Sequence, residues 1–524
     1  MRLPRLADMS IVGILVMLFL CVAVPRFQFP DLDHGDDYQD ADVLNSGTNF
    51  ERFGFVACRF LPVLQLGLES PRDPYTHYPP LPQIINGVLR KVFKTGSLSF
   101  FRAVALLVSL ANFLFWYWCV LLLTRSRGIG IISAIFYLTN PFFIYGIDSL
   151  SEFLYADALR SVILFVFLYR QTAARPGRWL AWVLWGLIFT TSLVSFEYII
   201  FFSLFFILCR YFLPSLRAPS WKLIVFLCTA PVAGFLLHFI QNAWYFADAS
   251  RAFDDLRSSA TERIVASKDS SLSLNFSSWW REVVLRNVTL VFIFNHFLLL
   301  FSFFVGYLAR RNLSGQDKAR AASLGRFFVI LFICGLTWYV FFPSHSLAHT
   351  YVLFLARHLV PAATIGFSLL FFILFAAARN APQYAVVIKN ICITGGVIFV
   401  AVSGISRTGL PVTKDLREYA RDFFMIKQCL VQLRVRSDKK DTIAINYHRS
   451  PFVRYYTDRF VQNIFGVPEL TALHRLPRYF IFMPYNNKPT AELLEFLQEQ
   501  YMQVLESRSR RFPALVFELK AKQP

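Results

Sequence analysis

The sequence predicts an α-helical polytopic membrane protein with about eleven transmembrane helices and a small C-terminal α/β domain outside the membrane. The first observation behind this is composition. Of 524 residues, 56% are hydrophobic and 16% charged, Phe occurs 58 times, and the mean hydropathy is +0.48. Soluble chains of this length are far more polar. The second is a series of apolar runs of about 17–25 residues, the length that crosses a bilayer. The third is the way charge sorts between the segments that join those runs.

The runs are 9–27, 101–123, 128–147, 150–169, 179–195, 197–213, 222–245, 284–309, 326–343, 352–378 and 388–405. The first follows Arg2 and Arg5 like a signal peptide, but it lacks a small-x-small cleavage site and more spans follow, so it reads as an anchor. The apolar block 179–213 is too long for one span and divides at Ser195–Glu197. With the N-terminus in the cytoplasm, the cytoplasmic segments hold 17 Lys and Arg against two acids, Asp8 and Asp317, while the opposite loops are richer in acids. That asymmetry is the positive-inside pattern. An odd number of spans then puts the C-terminal region on the side of the acidic loops.

Residues 1–405 thus form a transmembrane domain with outer loops at 28–100 and 246–283, and residues 406–524 a polar domain. Within the latter, 414–436 reads as an amphipathic helix, "DTIAINY", "RYFIFMP" and "ALVFELK" as strands, and 489–507 as a second helix. The net charge of +20 suggests nucleic acid in a soluble protein; here its sidedness points to the lipid bilayer instead. The C-terminal domain is basic, which suits an ordinary solvated surface or docking of an acidic acceptor glycan or anionic headgroups, with "YHRSPFVRYY" (447–456) as the patch. Eight cysteines stand singly, most within apolar runs, with no C-x-x-C or metal-type spacing. Their scarcity on the outer side fits a bacterial inner membrane.

Charges inside apolar runs cost several kcal/mol unless paired or hydrated, so each marks a possible function. Five stand out: Arg102, Asp157, Arg160, Arg286 and Arg357. Arg102 lies at a helix end, where it either snorkels or reaches substrate. Asp157 and Arg160 are i,i+3 and can neutralise each other. Arg286 reads as interfacial. Glu152 and Glu197 stand at outer turns, and His34, His77, His345, His349 and the deeper His358 map to the same side. This convergence places a site at the outer membrane face.

The stretch "HGDDYQDADVL" (34–44) sets Asp36, Asp37, Asp40 and Asp42 just after the first span. Downstream, "YTHYPPLPQIINGVLRKVF" (75–93) contains a Pro79-Pro80 elbow feeding an amphipathic helix. Read alone, these are a solvated loop and a rigid turn. Taken in order, they resemble the C-type (GT-C) membrane glycosyltransferases, close to the protein O-mannosyltransferases and the lipid A aminoarabinose transferases. "HGDD" is similar to the family's H-x-D-E, "THYPPLP" to its H/K-P-P-L, and "DSLSEFLYADAL" (148–159) to the region where S-E-P-L is common. The family's Lys before Pro-Pro is missing, so His77 or an Arg must replace it. The spacing to Asn49 also fits Asp42, through "QDADV", so the register lies between Asp36/Asp37 and Asp42, with the H-x-D-E match favouring the pair.

The resemblance implies transfer of a sugar from a polyprenyl- or dolichyl-phosphate carrier to a glycan, lipid or protein acceptor, with inversion. Such chemistry needs a carboxylate base, for which Asp36, Asp37 and Asp42 are the candidates. It needs cations for the leaving phosphate, here His77, His349, Arg357 and His358. Asp40, Tyr78, Arg102, Glu152 and Glu197 are candidates for contacting substrate. A divalent metal, Mg or Mn, is a possible addition to the acidic cluster, though no third ligand is evident. Two other classes fit a polytopic chain: a flippase for lipid-linked sugar, and a non-catalytic subunit of a glycan assembly complex. The paired half-repeats and broken helices of transporters are not evident.

Overall fold

A computed structural model describes residues 6–27, 37–71, 73–173, 175–213, 219–264, 277, 279–281, 313–343, 357–380, 414–447, 450–484, 491–509 and 513–520. Its helices are α1 (Leu6–Phe27), α2 (Asp37–Phe53), α3 (Leu81–Phe93), α4 (Leu98–Thr124), α5 (Arg127–Leu138), α6 (Pro141–Tyr145), α7 (Glu152–Thr172), α8 (Trp179–Ser192), α9 (Glu197–Phe212), α10 (Trp221–Phe246), α11 (Ala249–Ile264), α12 (Gly315–Phe341) and α13 (Val360–Asn380). Among the described residues, four helical segments are long and apolar enough to cross a membrane: Leu98–Thr124, Trp221–Phe246, Gly315–Phe341 and Arg357–Asn380. Shorter apolar helices occupy Met9–Val24, Arg127–Leu138, Trp179–Ser192 and Tyr198–Phe212. The runs 284–309 and 388–405 lie outside the described residues. The chain is an integral membrane protein.

Local chemistry explains the breaks. The 179–213 block divides where expected, between Ser192 and Glu197. The 128–147 run is interrupted at Thr139–Asn140, because Pro141 cannot continue a helix; Asn140 instead caps the next turn by accepting from the Phe142 N–H at 3.0 Å. Helix α4 packs on α5 and α7, α12 on α9 and α13, and α8 on α10. Large apolar side chains such as Leu107, Trp182, Val225 and Ile240 stay exposed on the spans. Lipid covers such residues without the cost water would impose. By contrast, α13 runs through the middle of the bundle with most of its side chains buried.

The C-terminal region holds α14 (Lys414–Arg436), β1 (Thr442–Ile445), α15 (Ser450–Thr457), β2 (Phe460–Asn463), α16 (Val467–Thr471), β3 (Tyr479–Phe482), α17 (Ala491–Gln500), β4 (Tyr501–Ser507) and β5 (Ala514–Leu519). The sheet order is β2-β1-β3-β5-β4, with β1 parallel to β2 and β3, and β5 antiparallel to β3 and β4. The helix expected over 489–507 stops at Gln500, and Tyr501–Ser507 is a strand. Pairing with β5, with a bulge between Gln503 and Leu505, overrides the helical pattern there. This region shares a core with the membrane part: Ala41, Leu44, Phe101, Leu150 and Leu154 belong to one cluster with Phe423, Phe452, Val453 and Tyr456. Within the 447–456 patch, Pro451, Phe452 and Val453 are buried, and His448 and Arg449 lie outside the described residues.

Candidate functional site

The acidic stretch runs into α2, whose first residue is Asp37. Carboxylates at a helix start are favoured by the orphan N–H groups and the helix dipole. His34 and Asp36 lie outside the described residues, as does the side chain of Asp37. Asp40 is fully buried. Its Oδ2 accepts from Arg102 Nη1 at 3.0 Å, and its Oδ1 accepts from Ser149 Oγ at 2.8 Å and the Leu150 N–H at 2.7 Å. Burial raises the Asp40 carboxyl above its ordinary range, while Arg102, Ser149 and Leu150 favour the charged form. Arg102 also donates to the Asp148 carbonyl at 2.8 Å and stands 3.7 Å from the Asp148 carboxylate. It is 1% exposed, so it does not snorkel. Asp42 is half-buried on another side of α2; burial pushes it up to about 7, against the opposing charge of Arg454.

A second charged assembly lies along α7. Asp157 Oδ1 accepts from Arg160 Nη2 at 2.8 Å and from Tyr198 Oη at 3.3 Å. Its Oδ2 accepts from Arg357 Nε at 2.8 Å and forms an ion pair with Arg357 Nη2, also at 2.8 Å. The expected i,i+3 pairing of Asp157 with Arg160 is present, but Arg357, 200 positions away, joins it. Two glycines permit this placement. A Cβ at Gly146 would come within 2.8 Å of Arg357 Nη1, and one at Gly335 within 2.6 Å of the His358 carbonyl oxygen. His358 is buried between Tyr198 and Trp338, with ring centroids 5.4 and 5.9 Å away.

The segment Gly146–Asp157 joins the two assemblies. Its turn holds Asp40 and Arg102, and its helix holds Arg160 and Arg357. Leu150 and Asp157 are seven positions apart, most of them in the first turns of α7. Glu152, at the start of α7, lies between them. The structure thus brings Asp40, Arg102, Glu152, Arg357 and His358 to one end of the bundle.

His77 and Tyr78 are held elsewhere, though nearby. Thr76 Oγ1 donates to Asp255 Oδ2 at 2.7 Å, and His77 Nε2 lies 3.5 Å from Asp255 Oδ1. The Thr76 carbonyl accepts from Asn242 at 3.1 Å and lies 2.8 Å from His238 Nε2. The Leu81 N–H donates to the Leu193 carbonyl at 3.2 Å, four residues before Glu197, whose side chain is outside the described residues. The Tyr75 and Tyr78 rings stack at 6.5 Å. Tyr198, next in the chain after Glu197, reaches Asp157, so one turn separates the His77 elbow from the Arg357 assembly. His349 lies outside the described residues.

Sequence reasoning missed Asp255 and Tyr198, polar residues in ordinary contexts that only long-range contacts single out, and touched Ser149 and Arg454 only within the stretches 148–159 and 447–456. For a divalent metal, Asp40 has both oxygens engaged inside the protein and Asp42 faces a guanidinium. Among the described residues no three His, Cys, Asp or Glu side chains gather as metal ligands.

With this geometry the chain can be compared with known proteins. No family model matches the sequence, and no characterised protein sequence is detectably similar. Solved structures are similar in fold. ArnT from Cupriavidus metallidurans, in the apo state, matches over 96% of this chain and 97% of its own, at 12% identity and a TM-score of 0.52. The archaeal oligosaccharyltransferase AglB from Archaeoglobus fulgidus, in complex with an inhibitory peptide and a dolichol-phosphate, matches over 97% of this chain and 75% of its own, at 11% identity and a TM-score of 0.50. Both belong to the GT-C superfamily. The fold is that of GT-C proteins, as the acidic stretch and Pro-Pro elbow led us to expect.

Proposed function

We propose that the chain is an inverting glycosyltransferase that moves a sugar from a polyprenyl-phosphate carrier to a glycan, lipid or protein acceptor. In this reading about eleven spans cross the membrane, the N-terminus is cytoplasmic, and the site and C-terminal domain face outward, in a bacterial inner membrane. The observation that carries it is the segment Gly146–Asp157, which fastens the acidic helix at one end and the Arg357 turn at the other. In this scheme a base from the acidic stretch and a phosphate-binding cation at the Arg357 turn act on the same bound sugar phosphate. ArnT and AglB share the fold, and the AglB structure contains a dolichol-phosphate.

Asp36 and Asp37 are the bases in this scheme, because Asp40 is bonded on both oxygens and Asp42 faces Arg454. One of them takes the acceptor hydroxyl proton as the oxygen attacks the anomeric carbon. The bond from that carbon to the phosphate oxygen breaks, and the phosphate leaves with the electron pair. Arg357 stabilises that charge, with His358, His77 and His349 supplying further donors. Tyr78, Glu152 and Glu197 line the approach for the sugar and acceptor.

The test is the Asp36→Asn/Asp37→Asn double variant, purified and given a polyprenyl-phosphate sugar. Transfer should fall by about 10²–10⁴-fold while binding of undecaprenyl phosphate persists. Undiminished transfer would remove these residues as bases. A wild-type protein that carries lipid-linked sugar across vesicles but never transfers it would overturn the enzyme reading.

A further inference from the structure

Helices α10 and α11 carry polar side chains that the transfer scheme leaves unused. His238 and Asn242 stand one turn apart on one face of α10, an apolar helix long enough to span a membrane, and both are fully buried. Polar groups buried in such a helix are costly and mark a task. Both reach the same backbone atom of the loop between α2 and α3. The Thr76 carbonyl oxygen accepts from Asn242 Nδ2 at 3.1 Å and lies 2.8 Å from His238 Nε2. A carbonyl only accepts, so His238 carries its hydrogen on Nε2 in this contact. Helix α10 ends at Ala247 in the left-handed conformation, at φ 52°, and α11 packs back against it. That turn brings Asp255 to the same corner. Asp255 Oδ2 accepts from the Thr76 hydroxyl at 2.7 Å, and its Oδ1 lies 3.5 Å from His77 Nε2. The loop is tied again at the end of α10, where Arg59 Nη1 donates to the Trp244 and Tyr245 carbonyls. The Tyr75 N–H donates to the Pro62 carbonyl at 2.7 Å and joins the two ties.

We propose that His238, Asn242 and Asp255 are positioning residues that hold the Thr76–His77 corner in one setting, so that the His77 ring is placed before the lipid phosphate arrives. The consequence for catalysis rests on the transferase reading; the grip itself does not. Three side chains of one helix pair take the carbonyl and the hydroxyl of Thr76 and one nitrogen of His77. Thr76 cannot slide along α10 without leaving buried donors unpaired. The setting carries forward, because Pro79 and Pro80 stiffen the chain that follows and the Leu193 carbonyl holds the Leu81 N–H at 3.2 Å. Thr76 is 6% exposed, whereas the His77 side chain keeps 37%. The grip thus buries the residue beside His77 and leaves the ring itself within reach of a ligand. A donor fixed in advance stabilises developing charge without reorganising as that charge forms.

The experiment uses the full-length protein in nanodiscs, with amide hydrogen exchange over residues 75–84 and over α12 as a control. His238→Leu should raise exchange in 75–84 by about tenfold, with α12 unchanged. His238→Gln, which keeps a donor close to the position of Nε2, should bring exchange back to within about twofold of wild type. Where transfer is measured, Asp255→Ala should lower kcat/KM for the lipid donor by about tenfold. In a His77→Ala background the same change should cost less than about twofold, because the ring it positions is gone. Should His238→Leu fail to fold, Thr76→Val, which removes only the hydroxyl bond to Asp255, should raise exchange by about threefold. Unchanged exchange, a Gln variant no better than Leu, or losses that add in the His77→Ala background would each overturn the proposal. A wild type that transfers no sugar would instead overturn the transferase reading, and the exchange series would still decide the grip on Thr76.

Discussion

At the Leu150 end of Gly146–Asp157, one guanidinium meets two carboxylates, Asp40 at 3.0 Å and Asp148 at 3.7 Å, and the remaining acceptor sites of Asp40 are filled by a serine hydroxyl and a backbone N–H. At the Asp157 end, one carboxylate is shared by two guanidiniums and a tyrosine. Both assemblies are buried, and both join helices far apart in sequence. Their stoichiometry differs, and so does the work each suits. The first leaves no excess of positive charge and engages both oxygens of Asp40 inside the protein, which is how a buried ionic group becomes a fastener. The second gathers positive charge at a helix end, which suits a site that must receive an anion.

The largest expected effect tests the fastener. Asp40→Ala leaves Arg102 buried with the Asp148 carbonyl at 2.8 Å and its carboxylate at 3.7 Å, and leaves the Leu150 N–H and Ser149 without their acceptor. Removing one partner of a buried pair costs about 3–5 kcal/mol. Thermal unfolding in detergent should show that loss, and transfer should fall only in proportion to the folded fraction. A variant that unfolds like wild type would erase the distinction between the two assemblies.

Arg357→Ala tests the other end. Asp157 keeps Arg160 and Tyr198, so the stability cost should be smaller than for Asp40→Ala. Transfer should fall by about 10²–10³-fold, the loss typical when a charge-stabilising donor is removed. Turnover and unfolding measured on the same preparation separate the outcomes. A large unfolding effect with intact transfer per folded molecule would make both assemblies fasteners.

The two assemblies also differ in how far the sequence revealed them. Arg102, Asp157, Arg160 and Arg357 stood out because ions in apolar runs are rare, and the i,i+3 pair followed from helix geometry. The apolar helices were legible for the same reason: a run long enough to span a bilayer has few other readings. That Arg102 pairs with Asp40, 62 positions away, was not legible, because hydrophobic periodicity carries no information about which loop folds over which helix end. Nor was the burial of Phe452 and Val453, since aromatic residues mixed with Arg look alike on an exposed surface and in an interface. Tyr501–Ser507 was misread because its partner, Ala514–Leu519, decides its conformation. Within the acidic stretch, sequence offered Asp36, Asp37 and Asp42 as bases, and it gave no sign that Asp40 would be bonded on both oxygens inside the protein.

The smallest expected effect concerns Asp42, which belongs to neither assembly. It is held up to about 7 by burial, against 3.8 in its ordinary state. Between these values the unfolded chain has released the proton that the folded protein still holds. Stability contributed by neutral Asp42 is therefore fully present below about 4, declines as pH rises, and is gone above about 7. Because the side chain keeps part of its hydration, the fall should be about 1–2 kcal/mol rather than the full value of the shift. Asn at this position has no proton to lose. The difference in unfolding free energy between Asp42→Asn and wild type should thus move in favour of the variant from pH 4 to 7 and then level off. A flat difference across that window would mean that Asp42 is ionised throughout, its charge held by the opposing charge of Arg454.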